Sequence, residues 1–337
     1  FLYFSSNRGG SMNLWRVSID EKTGKVSGQP EAVTTPSQFS KHLSFSRDGK
    51  LFAFVHLSAT SNIVRYDFDA AKEIFGAKPA QITQGAKINR NPSVSPDGEF
   101  IAFDAIRDRQ EDLFVMRKDG SNIRQLTDDI YKDRAPRWSP DGKKLVFYSD
   151  RSGKYAGWTI NADGSNLQQV SNIEENYLLM HIFSPDGKYL LGNLSVGFPF
   201  MIETGKPFAA QTPQFLPPIT GTEDWIMANS WSSDGKQIAS MQINNTPDAV
   251  GISIFDIPSR THQILTDYGE TPIWLKDDRR LIFFHTDKVF LIDTLTKKTK
   301  EILSVAPDSL QGMTISPDNR AIYVSLKKNE ADIWLAS

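Results

Sequence analysis

Three basic residues occupy the same position in successive copies of a repeated sequence. Lys41, Arg90 and Arg134 each lie four residues before an apolar or aromatic residue that precedes a turn. Such cations could bind a carboxylate, a phosphate or an acidic peptide, because charge-assisted hydrogen bonds to these anions are strong. Alternatively, they are solvated charges at the rim of the molecule. The equivalent residues further along the chain are Leu179, Met227, Glu270 and Gln311.

Four of the five histidines are candidates for contacting a ligand. His42 and His181 precede predicted inner strands, whereas His56 and His285 end the strands that follow. All four are predicted on the face of the cations but in distant repeats, and no His-x-x-x-His or Glu-x-x-His spacing links them. A metal site needs converging ligands, so we predict no metal and no other cofactor. His262 is predicted on the opposite face, as an ordinary surface residue.

The candidate ligand-binding residues are therefore those at the predicted loop face: Lys41, His42, Arg90, Arg134, His181, Trp225 and Glu270. Trp225 lies in the longest connection of the chain, residues 212–229, with Phe215, Met227, Glu223 and Asp224. Long ordered loops are often functional, and this one could cap a channel or grip a partner. Equally, it could be an insertion that packs its own apolar residues.

Signatures of covalent catalysis are missing from the sequence. The chain has no cysteine, which excludes disulfides, thiolate catalysis and zinc–cysteine sites. It has no Gly-x-Ser-x-Gly elbow and no phosphate-binding loop of the Gly-x-x-x-x-Gly-Lys type,. We therefore predict no catalytic residues.

The loops that carry these residues belong to a repeated unit. A phrase like Trp138-Ser-Pro-Asp-Gly-Lys143 occurs seven times, with its Asp residues 49, 44, 45, 48, 43 and 41 positions apart. Within residues 134–172, four apolar or β-branched segments alternate with tight turns rich in Asp and Gly, which predicts four antiparallel strands. A period of about 40–50 residues built from short strands is typical of a β-propeller.

The two ends of the chain bear on the number of blades. Residues 1–17 and 321–335 each look like the second and third strands of a blade, giving seven inner strands but eight second–third hairpins. This count favours an eight-bladed ring, with a seven-bladed ring as the alternative. We expect residues 1–337 to be one propeller domain, clipped at its N-terminus from a larger protein, since the chain opens on Phe1.

Bulk composition excludes two classes of partner. The net charge is −2, with 38 basic and 40 acidic residues in 337, whereas nucleic-acid binding requires clustered cations. No stretch of about 18 apolar residues occurs, so this segment is not expected to insert directly into a membrane.

The repeats resemble those of the TolB-like WD40 family, also called PD40 repeats. The matching phrases are Trp138-Ser-Pro-Asp-Gly-Lys143, Ser149-Asp-Arg-Ser-Gly153, Asn161-Ala-Asp-Gly-Ser-Asn166 and Gln125-Leu-Thr127. The family includes scaffold propellers of the periplasm, propeller halves of peptidases, sensor regions fused to kinases, and similar polysaccharide lyases. TolB itself has six blades and an extra α/β domain, and neither feature is expected here.

A chain made wholly of predicted blades, without a catalytic constellation, predicts a non-catalytic recognition or sensor module. The resemblance implies that this module belongs to an exported or membrane-anchored bacterial protein. It would bind a protein or a small anionic ligand at its loop face and would be periplasmic or otherwise extracytoplasmic. One alternative is an enzyme of polysaccharide-lyase or hydrolase type that uses His42, His181 and the rim cations. The other is the accessory propeller of a peptidase or kinase.

Overall fold

A computed structural model describes residues 1–6, 8, 13–34, 39–76, 78–85, 87–107, 110–171, 178–222, 224–243 and 250–336. In this part of the chain the secondary structure is almost entirely β, with one short 3₁₀ helix at Phe208–Ala210. The predicted all-β architecture of four-stranded antiparallel blades is confirmed. The contacts between residues divide the chain into two compact units, residues 1–60 with 328–337, and residues 61–327.

The first unit holds a three-stranded sheet of β1 (Leu2–Ser6), β2 (Asn13–Ile19) and β3 (Val26–Ala32). It also holds β4 (Phe39–Phe45), which pairs with the beginning of β5 (Phe52–Asp69). An aromatic cluster of Tyr3, Phe45 and Phe52 packs within this unit.

The second unit contains the remaining strands. After the end of β5, their bounds are β6 (Ile74–Phe75), β7 (Ala80–Gln81), β8 (Ile88–Val94), β9 (Phe100–Arg107), β10 (Gln110–Arg117), β11 (Arg124–Gln125), β12 (Asp133–Trp138), β13 (Lys144–Ser149), β14 (Ala156–Asn161), β15 (Gln168–Ser171), β16 (Leu178–Phe183), β17 (Tyr189–Leu194), β18 (Phe200–Glu203), β19 (Gln214–Phe215), β20 (Trp225–Trp231), β21 (Gln237–Ile243), β22 (Val250–Asp256), β23 (Thr261–Thr266), β24 (Glu270–Trp274), β25 (Arg280–His285), β26 (Lys288–Asp293), β27 (Thr299–Ser304), β28 (Ser309–Ile315) and β29 (Ala321–Ala336).

These strands form six blades within residues 61–327. Blades I to V are β8–β11, β12–β15, β16–β19, β20–β23 and β24–β27, each with its strands side by side in chain order. Blade VI combines β28, the beginning of β29, the end of β5, and β7. A single bridge between Ser61 and Ile88 joins blade VI to blade I.

Apolar residues between neighbouring blades form the core of this unit. Phe147 packs with Ala102 between blades I and II, and Ile226 packs with Leu191 between blades III and IV. Ile63 of blade VI packs with Ile101 of blade I, so the series of blades closes on itself as a ring. Each blade therefore buries its apolar faces against two neighbours, the mode of stabilisation expected of repeat proteins.

The repeated turn has a local chemical cause. Ser139 Oγ donates to Asp141 Oδ1 at 2.6 Å, and that carboxylate oxygen accepts the Lys143 N–H at 3.1 Å. Gly142 has a φ of 69°, a conformation that glycine adopts without a steric penalty. The turns also stack around the ring, since Gly142 lies against Pro96 and Gly98 lies against Pro317.

The predicted count of eight blades is not confirmed, because two predicted hairpins are continuous strands. Residues 52–55 and 62–66 both belong to β5, and residues 321–325 and 332–335 both belong to β29. The expected reversals would fall at residues 58–61 (Ser-Ala-Thr-Ser) and 327–331 (Lys-Lys-Asn-Glu-Ala), which contain neither Gly nor Pro. Ser58, Ser61 and Asn329 are compatible with a turn, but the extended conformation continues through both segments. The prediction of a single domain over residues 1–337 stays a prediction.

Candidate functional site

The predicted ligand residues share a structural position at the start of inner strands. The register shifts after Arg90 in β8, after Arg134 in β12 and after Glu270 in β24. The next residue in each case, Asn91, Ala135 or Thr271, has a φ of about 50°. Such β-bulges re-aim side chains at the end of a strand, and here they mark the loop end of the inner strands.

The structure brings Arg90 and Arg134 together on one carboxylate. Arg90 Nη2 lies 2.6 Å from Glu111 Oε2, and Arg134 Nη2 lies 2.6 Å from Glu111 Oε1. Burial alone would raise the pKa of Glu111, but hydrogen bonds from the two guanidinium groups hold it below its usual value. The side chains of Arg90 and Arg134 keep 23% and 24% exposure, so solvent or a partner can reach both.

A second carboxylate, that of Asp104, also pairs with Arg90. Asp104 Oδ2 accepts from Arg90 Nε at 3.0 Å and from Nη2 at 2.8 Å, while its Oδ1 accepts from Asn91 Nδ2 and from the Ala135 backbone N–H. The side chain of Asp104 is fully buried. Asp104 and Glu111 together balance the charges of both arginines, so this pair of cations is neutralised within the protein.

Two tyrosines complete the cluster. The guanidinium of Arg134 lies 5.2 Å from the centre of the Tyr155 ring, and the Tyr155 and Tyr148 rings meet edge to face at 5.4 Å. Burial raises the pKa of both phenols, which are therefore neutral near pH 7. We name Arg90, Glu111, Arg134, Tyr148 and Tyr155 the Arg–Tyr cluster.

A carboxylate group beside the cluster was not singled out from the sequence. Asp133 is fully buried and accepts from Arg151 Nη2 at 2.7 and 2.6 Å. Asp112 is also buried, and burial together with the charges of Asp133, Asp128 and Asp129 raises its pKa to about 6. The sequence signal that could have identified Asp112 is its repeat position, because Asn13 and Asn62 begin the equivalent third strands of other repeats.

The histidines lie apart from the cluster. His181 is fully buried in blade III, where its Nε2 lies 2.7 Å from Ser171 Oγ, and burial lowers its pKa to about 4. This places His181 in the packing between blades II and III, and contact with a ligand stays a prediction. His262 is half-buried, with Nε2 2.8 Å from the Pro217 carbonyl oxygen, because the 212–222 segment covers it. It is therefore not the ordinary surface residue predicted.

The other predicted residues occupy separate places. Lys41 and His42 lie in β4 of the first unit; His42 is exposed with a φ of 57°, whereas the side chain of Lys41 falls outside the described residues. Glu270 begins β24 of blade V, where burial raises its pKa and the nearby His285 opposes that shift. Trp225 is partly buried at the start of β20.

The long 212–229 connection is largely packed into the protein. Leu216 and Ile219 belong to the core between blades III and IV, while Phe215 is 50% exposed. Asp224 accepts a hydrogen bond from Gln242 Nε2, and Glu223 lies outside the described residues. Part of the segment therefore packs its own apolar residues, as one of the two hypotheses predicts. Phe215 is exposed and could contact a partner, as the other hypothesis requires.

No group of three or more His, Cys, Asp or Glu side chains is arranged to hold a metal ion within the ranges given above. Within the same ranges, no helix combines the length and apolar character required to cross a bilayer.

Comparison with known proteins agrees with the repeat pattern. Residues 72–197 match the family model of the TolB beta propeller domain, PD40. A TolB of Agrobacterium tumefaciens superposes with a TM-score of 0.60 at 15% identity, over 80% of this chain and 99% of that one. A TolB of Acinetobacter baumannii gives 0.55 at 14% identity, over 98% and 80%. The chain thus has a β-propeller fold like that of TolB.

The chain is also similar to an uncharacterized bacterial protein and to a peptidase. The uncharacterized protein Atu1656 of Agrobacterium fabrum is 33% identical over 108 residues, which are 30% of this chain and 35% of that protein. A puromycin-hydrolyzing peptidase of Mycobacterium tuberculosis has a TM-score of 0.52 at 13% identity, over 96% of this chain and 57% of that one. At such low identity the solved structures establish the fold alone, which serves recognition proteins and enzymes alike.

Proposed function

We propose that this TolB-like propeller is a non-catalytic recognition module that binds a partner protein at the loop face of blades I and II. The observation that carries the proposal is the Arg–Tyr cluster, in which Glu111 holds Arg90 and Arg134 in place beside Tyr155. Arginine and tyrosine are enriched among the residues that dominate binding energy at protein interfaces. Because the arginines are already fixed, little side-chain entropy is lost when a partner binds.

The charge balance favours a protein over a small anion at this place. Arg90 and Arg134 are matched by Glu111 and Asp104, so an anionic ligand would have to compete with two resident carboxylates. A partner protein can instead offer carbonyl oxygens to the guanidinium groups and apolar groups to the tyrosine rings.

An exposed apolar residue extends the proposed surface. Ile130 is 84% exposed in the connection between β11 and β12, and the neighbouring Tyr131 lies 5.4 Å from the guanidinium of Arg151. Arg151 in turn pairs with Asp129 and Asp133, so the 129–133 segment is anchored to blade II. Because its loop is anchored, the exposed Ile130 side chain could make an apolar contact near the centre of an interface.

The likeness to TolB also supports an extracytoplasmic location for the protein, which we include in the proposal. An enzyme remains the second candidate, favoured by the fold shared with the peptidase.

A site-specific crosslinking experiment tests the proposal. A photoreactive amino acid is placed at position 130, and separately at Leu295, which is 76% exposed beside the Pro-Asp-Gly-type turn at Arg279. With a bacterial envelope extract, position 130 should crosslink one dominant protein and position 295 should not. Tyr155→Ala in the position-130 variant should reduce that product at least about tenfold.

Two results would overturn the proposal. Equal crosslinking at positions 130 and 295, or a yield unaffected by Tyr155→Ala, would show that the Arg–Tyr cluster does not recognise the partner. Turnover of a substrate by the purified chain, abolished by a substitution in the cluster, would favour the enzyme instead.

A further inference from the structure

A cavity opens at the opposite end of the ring, among the Pro-Asp-Gly turns. It has a volume of about 270 Å³ and is lined by residues of blades I to IV, among them Ser93, Arg137, Trp138, Asn229 and Trp231. Binding sites for small molecules usually have volumes of about 300–1,000 Å³, so this cavity lies just below that range and suits only a small ligand.

Arg137 is the cation of this cavity, and its hydrogen-bond partners are all uncharged. Its Nη1 donates to the carbonyl oxygens of Pro136 at 2.9 Å and Asn91 at 3.3 Å, and its Nη2 lies 3.0 Å from Met180 Sδ. Across the described residues, no carboxylate forms an ion pair with Arg137. A buried charge ordinarily has a partner of opposite sign, which makes this guanidinium an exception.

The carboxylate whose charge acts on Arg137 is not free to pair with it. Asp104 contributes a favourable charge, but its two oxygens already accept from Arg90, Asn91 and Ala135. Burial lowers the pKa of Arg137 to about 10, so the group is still protonated at neutral pH. The cavity therefore holds one positive charge that the protein leaves without a partner anion.

Further donors lie in the wall of the same cavity. Asn229 uses its Oδ1 to accept the Met241 N–H at 3.0 Å, and its amide Nδ2 has no hydrogen bond to another described residue. The indole Nε1 of Trp231 is buried without a partner in the described part of the chain. By contrast, the equivalent indole of Trp138 donates to the Ser93 carbonyl oxygen at 3.0 Å. Unpartnered donors around an unpaired guanidinium are the chemistry that an anion requires.

We infer that this turn-face cavity binds a small carboxylate anion through the guanidinium of Arg137. The planar fork of an arginine matches the two oxygens of a carboxylate better than a lysine ammonium does. Asn229 is the residue placed to donate a further hydrogen bond to the ligand. The lining residues of the cavity are not members of the Arg–Tyr cluster, so the inference does not depend on the proposed partner protein.

Isothermal titration of the whole chain with succinate tests the inference, with neutral succinamide as the matched ligand and inorganic phosphate as a second anion. We expect saturable binding of succinate at one site, no binding of succinamide, and at least about tenfold weaker binding of succinate to Arg137→Gln. Phosphate that competes equally with succinate would overturn the carboxylate preference. Arg124→Gln is the matched control, because Arg124 is exposed and its side chain donates a hydrogen bond to the Ala162 carbonyl oxygen, away from the cavity lining.

If circular dichroism shows that Arg137→Gln does not fold, Arg137→Lys and Asn229→Ala replace it in the titration. Arg137→Lys keeps the charge but loses the fork, and it should bind succinate several-fold more weakly than the native chain. Equal affinity of the native chain and a folded Arg137 variant would refute the site, as would equal binding of succinate and succinamide.

Discussion

Replacing Asp112 with asparagine should stabilise the protein at alkaline pH. Asp112 begins the third strand of blade I, where Thr127 Oγ1 lies 3.4 Å from its Oδ1 and Gln125 Nε2 lies 3.2 Å from its Oδ2. The equivalent position is asparagine elsewhere in the chain. Thr83 Oγ1 donates to Asn62 Oδ1 at 3.1 Å, and the following N–H, that of Ile63, donates back to Thr83 Oγ1. An uncharged amide therefore meets the hydrogen-bonding needs of this position.

The size of the effect follows from the pKa of Asp112. Burial, followed by the charges of Asp133, Asp128 and Asp129, raises that pKa from 3.8 to about 6. A shift of about two pH units corresponds to roughly 3 kcal/mol, an upper value because solvent screens part of the repulsion between the carboxylates. We therefore expect Asp112→Asn to raise the free energy of unfolding by about 1–2 kcal/mol at pH 8.

The sign of the pH dependence is specific. Because the folded state binds the proton of Asp112 more tightly than the unfolded state does, the native chain loses stability as pH rises from about 4 to about 6,. The advantage of Asp112→Asn should therefore be small at pH 4 and complete above pH 7. Urea unfolding followed by tryptophan fluorescence at pH 4.5 and pH 8 measures both values.

A reciprocal substitution is the matched control. Asn62→Asp places a carboxylate at the equivalent position of blade VI and should destabilise the chain more at pH 8 than at pH 4.5. If Asp112→Asn instead lowers stability by the same amount at both pH values, the carboxylate makes a favourable contact, and the reasoning from burial and charge repulsion is refuted.

Three further substitutions test the packing and the cluster. Gly157→Ala should cost more than about 2 kcal/mol of unfolding free energy, because the added Cβ would lie 2.3 Å from Ser171 Oγ. Gly205→Ala is the control: a Cβ there has nothing within 4 Å, so this variant should be nearly neutral by thermal unfolding. Ser139→Ala removes the hydrogen bonds that close one Pro-Asp-Gly turn and should cost about 1 kcal/mol in urea unfolding; a neutral result would contradict that role. Glu111→Gln leaves two half-buried arginines under-paired and should cost about 2 kcal/mol at pH 7. Because the pKa of Glu111 is lowered in the folded state, its contribution is present above its unfolded pKa and is lost as the pH falls. An unfolding free energy difference that is equal at pH 3 and pH 7 would therefore contradict the ion pairs.

Several features were predictable because they depend on neighbouring residues in the chain. The Pro-Asp-Gly turns follow from the conformational preferences of their own residues, and the alternation of turns with apolar segments predicted the four strands of each blade. The shared position of Arg90, Arg134 and Glu270 also followed from the repeat, and the structure places all three at the loop end of inner strands. The TolB-like fold was thus determined by local sequence together with its period.

Other features were decided only by the tertiary structure. Whether residues 58–61 reverse or continue as strand β5 depends on which strand pairs with them, and that choice reduced the blades of residues 61–327 to six. Glu111 meets Arg90 and Arg134 across separations of 21 and 23 residues, and Arg137 lacks an acidic partner because Asp104 is already occupied. Pairing, burial and the distance between charges are set by the three-dimensional arrangement of blades, and a one-dimensional pattern of residue types does not contain them.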